Sequence, residues 1–161
     1  MRSKTDLHTH STFSDGVLSP SDLVDLAYKN GVRVMALTDH DITDGLPEAI
    51  LAAQQYPDFT LIPGIEMSTD VPGNEVHLLG YFINYEDKAL QNELALMKDS
   101  RINRGRLMVD KLNKLGAHIS WQRVQEISGA GTVGRPHIAQ ALVEANHVTS
   151  VPEAFDKYLS R

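Results

Sequence analysis

The sequence predicts an α/β fold whose first half is part of a β/α barrel and whose second half is helical. Three observations predict it. Strand and helix signals alternate between residues 4 and 84, a histidine or carboxylate stands at or near the end of each of four short apolar runs, and beyond Tyr85 helical periodicity replaces the strand signal. Ligand-type side chains at the C-terminal ends of alternating strands are the pattern of a β/α barrel, whose sites open on that face.

The elements follow in order. Thr5–Thr9 reads as a strand, and His8 and His10, two residues apart, point to one face of it with Asp15 close behind. A helix starts with Ser19 as N-cap, Pro20 at its first position and Asp22 completing a capping box, and it stops at Gly31. The next strand spans Val32–Thr38 and runs into Asp39-His40-Asp41. A second helix extends from Asp44 or Gly45 to Gln55, turns Leu46, Ala49, Ile50 and Ala53 to the core, and ends before Pro57. Strands at Thr60–Ile65 and Val76–Ile83 bring in Glu66 and His77.

From Glu86 to Leu115 one long helix places Leu90, Leu94, Met97, Met108, Leu112 and Leu115 on its apolar side, with Gly116 as the stop. Shorter helices follow at Ser120–Ser128, at Arg135–Asn146 with Pro136 near its start, and at Ser150–Leu159 with Ser150 and Glu153 as a capping box. The glycine-rich stretch Gly129–Gly134 reads as a mobile loop leading into Arg135. The chain therefore divides into residues 1–85, the barrel portion that carries the site, and residues 86–161, a helical subdomain.

Composition narrows the function. At 161 residues and 42% hydrophobic the chain is long enough for a real core, and a net charge of −6 excludes a broad electrostatic footprint for duplex nucleic acid while leaving room for a local basic site. There is no cysteine, so a metal site must use imidazole and carboxylate, donors suited to manganese, iron, zinc or magnesium. Residues 1–6 run into the first motif without an apolar segment and no later stretch approaches membrane-spanning length, so neither secretion nor membrane insertion is expected and a cytoplasmic location is.

A metal that activates water needs several rigid ligands and an open position. His8, His10, Asp15, His40, Glu66 and His77 can supply them. Six ligands exceed the needs of one such ion, so a multinuclear site is expected, with Glu66 as the bridging carboxylate and a water shared between ions. Phosphate ester hydrolysis is the reaction best matched to that clamp. A lone histidine is ordinarily structural, and His118 and His147 are read so. Asp39 and Asp41 flank His40 and either orient imidazoles or cap the following turn.

A second constellation is basic. Lys98, Arg101, Arg104 and Arg106 lie mid-helix, with Arg101 and Arg104 on one face, while Arg135 stands at a helix start, where free amides also favour an anion, and His137 follows. A basic helical run is more often a solvated face, but beside a metal site these groups can grip phosphates.

The segments DLHTHSTFSDG, LTDHD, GIEMS and EVHLLGY, spanning residues 6 to 80, together resemble the polymerase and histidinol phosphatase (PHP) family of metal-dependent phosphoesterases. The later KDSRINRGR and GRPHIAQAL resemble its stand-alone members that hydrolyse nucleoside 3′,5′-bisphosphates or trim short RNA from the 5′ end. The resemblance implies a distorted seven-stranded β/α barrel with a helical insertion, binding two to three divalent ions, commonly manganese, iron or zinc. It maps His8, His10, Asp15, His40, Glu66 and His77 onto metal ligands, and Arg101 and Arg135 onto phosphate contacts, with Lys98, Arg104 and His137 as weaker candidates. Asp39 or His137 is the candidate general acid. Members of the family run on with further ligand motifs that do not occur before Arg161, so the chain is expected to be a fragment lacking the rest of the barrel. The implied activity is removal of the 3′-phosphate from a nucleoside 3′,5′-bisphosphate. The rivals are a 5′ to 3′ exonuclease on short 5′-phosphorylated RNA, a histidinol-phosphate-type phosphatase, and a non-catalytic metal- or nucleotide-binding module.

Overall fold

The computed structural model describes residues 4–71, 74–129 and 131–159. Its elements in chain order are β1 (Thr5–Thr9), α1 (Pro20–Lys29), β2 (Val34–Leu37), α2 (Leu46–Ala53), β3 (Thr60–Val71), β4 (Asn74–Tyr81), α3 (Lys88–Lys114), α4 (Trp121–Ser128), α5 (Arg135–Glu144) and α6 (Val151–Ala154), which passes into a π-helical turn at Phe155–Leu159.

Local chemistry explains most of these bounds. Ser19 caps α1 by accepting from the Asp22 amide, and the chain leaves that helix through Gly31 at φ 87°. Asp87 caps α3 through the Leu90 amide, Ser120 caps α4 through the Arg123 amide, and Gly116 at φ 86° follows the end of α3. Ser150 accepts from the Glu153 amide, but the expected reciprocal bond is not made. The Glu153 carboxylate reaches one residue further back, to the amide and hydroxyl of Thr149 at 2.7 and 2.6 Å. The single helix expected over Ser150–Leu159 is thus α6 with a wider turn appended.

The sheet order is β1-β2-β3-β4. β1, β2 and β3 are parallel, as strand-helix-strand alternation requires, whereas β4 returns antiparallel to β3 as a hairpin. β3 runs six residues past its expected end at Ile65, because its second half is held by the ladder to β4, which a search for apolar runs does not detect. The sheet is curled: Tyr81 on one edge strand donates its hydroxyl to the Leu7 carbonyl on the other at 3.0 Å. β1 carries an irregularity in its pairing between Asp6 and Thr9, next to the histidines, where a bulge re-aims side chains.

Two apolar clusters hold the chain. Val24, Met35, Leu37, Leu46, Ala49 and Phe59 pack α1 and α2 onto the parallel strands, and Val109, Leu112, Val124, Ile138, Leu142 and Leu159 unite the later helices. Leu115, expected on the apolar side of α3, is instead exposed. The stretch Gly131–Gly134 is not a free loop, and Ala130 lies outside the described residues. Thr132 donates its amide to the Phe13 carbonyl and its hydroxyl to the His40 carbonyl, so the stretch is seated against the strand ends. Among the described residues no helix is long and apolar enough to cross a membrane.

Candidate metal centre and adjoining cavity

The six predicted ligands meet at one place, the C-terminal edge of β1 and β2. His8 and His10 come from the end of β1 and the residue after it, and Asp15 from the turn that follows. His40 lies beyond β2, where an isolated bridge pairs it with Glu66 in the middle of β3. His77 arrives from within β4 rather than from a strand end. The hairpin, not a fourth parallel strand, delivers it.

Glu66 is the hub. Its Oε2 lies 2.8 Å from His8 Nε2, 3.1 Å from His10 Nε2 and 3.6 Å from His40 Nε2, and its Oε1 lies 2.7 Å from His77 Nδ1. Asp15 forms a second focus, 3.2 Å from His10 Nδ1 and 3.6 Å from His40 Nε2. Three triads result, each with ligand atoms within 4.8 Å of one another: His8–His10–Glu66, His10–Asp15–His40 and His40–Glu66–His77.

Electrostatics make these groups fit divalent cations. Burial pushes the His40 ring down to about 4, against the pull of Asp15 and Glu66. It is therefore neutral at physiological pH and offers a lone pair. Burial pushes Glu66 upward, but the imidazoles of His8, His40 and His77 outweigh it and hold the carboxyl below its usual value, ionised. Imidazole nitrogens and carboxylate oxygens crowded within a few ångströms of one another are the donor set that a divalent cation takes.

Asp39 and Asp41, expected to orient imidazoles or to cap the following turn, have different partners. Asp39 is buried: it accepts from the amide and hydroxyl of Ser11 and from the hydroxyl of Ser14 at 2.6–2.7 Å, and Ser14 Oγ in turn lies 3.3 Å from His10 Nδ1. Burial raises its carboxyl above the ordinary value, and the bonds from Ser11 and Ser14 pull against that. It organises the turn that carries Asp15 and does not line the cavity. Asp41, in the left-handed region at φ 52°, accepts from the Ser68 amide at 2.8 Å and takes an ion pair from Arg101 Nε. It orients a guanidinium, not an imidazole. The sequence singled out neither Ser68, which also accepts from Arg101, nor Thr132 and the Ser11/Ser14 pair, because their partners lie far away along the chain.

A cavity of about 250 Å³ adjoins the cluster. Asp15, His40 and His77 line it, together with Arg101, Arg104 and Arg135 and the start of α5. Lys98 is not there; it lines a separate small depression with Asp44 and Gln91. His137 is also absent from the lining. Its Nδ1 accepts from the Gly134 amide at 3.0 Å, its ring bonds the Ser14 backbone, and burial lowers its pKa, so it joins α5 to the Asp15 turn as a neutral ring. His118 and His147 stand apart, with His147 Nε2 3.0 Å from the His118 carbonyl.

A curled α/β sheet carries a histidine-carboxylate cluster on its C-terminal edge, beside an arginine-lined cavity, an arrangement suited to holding divalent cations next to an anion. The PHP domain description matches residues 6–159, and the chain belongs to that family. It is 38% identical over 159 residues to the 5′-3′ exoribonuclease Rnm of Salmonella typhimurium, covering 97% of this chain and 54% of that protein. It is 33% identical over 156 residues to a 3′,5′-nucleoside bisphosphate phosphatase of Chromobacterium violaceum, covering 96% and 54%. A solved amidohydrolase from Chromobacterium violaceum, with bound sulfate and no metal, superposes with a TM-score of 0.88 at 32% identity, over 98% of this chain and 55% of that one. The chain thus spans about half the length of the curated relatives it matches.

Proposed function

We propose that the protein is a metal-dependent phosphoesterase that removes the 3′-phosphate of a nucleoside 3′,5′-bisphosphate. The observation that carries this reading is the cavity shared by Asp15, His40 and His77 with Arg101, Arg104 and Arg135. His8, His10, Asp15, His40, Glu66 and His77 would hold two to three divalent ions, manganese first, with iron, zinc or magnesium as alternatives. Such ions supply Lewis acidity and activate water at neutral pH.

The chain's own residues do the rest. Arg101, pre-set by Asp41 and Ser68, presents its guanidinium to the equatorial oxygens of the phosphoryl group. Arg104 and Arg135 hold the second phosphate, the one that is recognised but not cleaved, at the start of α5, whose Gly134 and His137 amides are already bonded within the turn. Asp39 and His137 act as positioning groups for the Asp15 turn and α5. Lys98 takes no part in holding the substrate.

The test is release of inorganic phosphate from adenosine 3′,5′-bisphosphate with manganese. Release supports the proposal; binding of the bisphosphate without release replaces it with a nucleotide-binding module. A second reading, a 5′ to 3′ exonuclease on short RNA, is favoured by the higher identity to the Salmonella exoribonuclease, 38% against 33%. It predicts a ladder of mononucleotides from a 5′-phosphorylated oligomer, where the first predicts none. Histidinol phosphate is a weaker substrate, since three arginines are more than one phosphate requires.

A further inference from the structure

Ser14 sits in the turn between His10 and Asp15 with only 2% of its surface exposed, and its hydroxyl oxygen has three close neighbours. Asp39 Oδ1 lies at 2.6 Å, His10 Nδ1 at 3.3 Å and Asp15 Oδ1 at 3.5 Å. A hydroxyl has one hydrogen to give. Its direction follows from Asp39. The Ser11 amide, which can only donate, reaches the same Asp39 Oδ1 at 2.7 Å, while the Ser11 hydroxyl lies 2.6 Å from Oδ2. Oδ1 is therefore an acceptor whether or not the carboxyl carries a proton on Oδ2, and Ser14 donates to it at the shortest of its three contacts.

With its hydrogen committed to Asp39, the Ser14 oxygen can only accept from His10. His10 Nδ1 thus faces two acceptors, Ser14 Oγ and Asp15 Oδ1 at 3.2 Å, against one at Nε2, Glu66 Oε2 at 3.1 Å. In the neutral ring the single hydrogen belongs on Nδ1, and the lone pair stays on Nε2, the nitrogen nearest the Glu66 hub. We propose that Ser14 is a positioning residue for metal binding: held by Asp39, it fixes the His10 tautomer that offers Nε2 to a cation. The proposal rests on the reading of His10 as a metal ligand. Asp15 cannot supply the same restraint alone. It is itself one of the converging ligands, and a bound cation draws on its oxygens, whereas Ser14 stands outside the ligand set and keeps its contact to the ring.

The same bonding pattern separates the charge of Asp39 from its shape. In Asp39→Asn the Ser11 amide selects the carbonyl oxygen for the Oδ1 place, so Ser14 keeps its acceptor. The new amide group then faces Ser11 Oγ, which accepts from the Phe13 amide at 3.2 Å and has a second lone pair for it. Asp39→Asn therefore preserves the relay although it removes the charge.

The experiment reads tautomer and affinity separately. Nuclear magnetic resonance of isotope-labelled histidine nitrogens in metal-free protein, at about pH 8.5 where free imidazole is neutral, reports which ring nitrogen carries the hydrogen. The His10 signals are those missing from His10→Gln, and they should place the hydrogen on Nδ1. Manganese affinity is measured by competition with a chelating indicator, and circular dichroism confirms the fold of each variant. Ser14→Ala should raise the population with hydrogen on Nε2 and weaken manganese binding roughly tenfold. Asp39→Asn should leave the tautomer unchanged and the affinity within a few-fold. Hydrogen on Nε2 in the unsubstituted protein would overturn the relay and, if manganese still binds, leave the ligand reading standing. A Ser14→Ala variant with unchanged tautomer would overturn it too, whether or not affinity falls, since a fall alone marks a merely structural role. An Asp39→Asn variant as impaired as Ser14→Ala would overturn the step from Asp39 to Ser14. No manganese uptake by the unsubstituted protein would sink the ligand reading and this role of Ser14 with it.

Discussion

Asp41 and Arg101 are separated by 60 positions in the chain, and both side chains are nearly dry, 1% and 9% exposed. A buried guanidinium is stable only with its counter-charge in place, and Asp41 supplies it while also bonding the Ser68 amide. Asp41→Asn keeps a residue that tolerates positive φ but strands the arginine charge. We expect a stability loss of about 3 kcal/mol in urea or guanidinium unfolding, with weaker phosphate binding. The histidines set a pH response. His40 is held at about 4 against an ordinary 6.5, and His137 is also lowered, in both cases by burial. Below 6.5 the unfolded chain takes up protons that the folded protein refuses, so this part of the stability is full above about 6.5 and is lost as pH falls towards 4. Metal-free protein should therefore melt at progressively lower temperature across that window, and His137→Gln should shallow the slope; a flat profile in chelator would contradict the assignment.

Elements reach the site in two ways. β1 and β2 end at it, whereas the β3–β4 hairpin passes through it and contributes Glu66 and His77 from its interior. The seated stretch Gly131–Gly134 closes the far side. A Cβ on Gly131 would sit 2.5 Å from the Phe13 carbonyl oxygen, a backbone atom that cannot yield easily. Gly131→Ala should cost about 2 kcal/mol by overpacking and unseat Thr132 from Phe13 and His40. Faster proteolysis at this stretch, measured beside unchanged far-ultraviolet circular dichroism, is the expected readout. Strand and helix positions were legible from apolar runs and caps: β1 and the N-cap Ser19 fall where the sequence places them, and the helix expected over Ser120–Ser128 is α4. The second half of β3 was not. Its residues Ser68 and Thr69 are fixed by pairing with His77 and Val76, and pairing leaves no trace in local hydrophobicity.

At the scale of the molecule, two apolar clusters support one cavity, and an acidic chain of net charge −6 concentrates arginines where phosphates would bind. Because His8, His10, Asp15, His40, Glu66 and His77 converge as metal-type donors, divalent ions that bind them should stabilise the fold by mass action. Manganese at about a hundredfold over its dissociation constant should add roughly 2.7 kcal/mol. The melting temperature should rise accordingly, fall back on chelation, and fail to respond in Glu66→Gln. Elemental analysis showing fewer than one ion per chain after manganese loading would count against the multinuclear reading.

The sequence by itself determined the kinds of donor available and the α/β alternation, and it marked the six histidine and carboxylate positions that the fold brings together, because donor chemistry, caps and strand periodicity are properties of neighbouring residues. Tertiary structure alone decided which groups Asp39, Asp41, Lys98 and His137 meet. Asp39 binds Ser11 and Ser14, Asp41 binds Arg101 and Ser68, His137 binds Gly134 and Ser14, and Lys98 falls outside the cavity. Most of these partnerships join chain segments tens of residues apart, and which partners the two buried carboxylates flanking His40 meet depends on how loops from three elements come together. That geometry is set by packing and hydrogen-bond satisfaction across the whole fold.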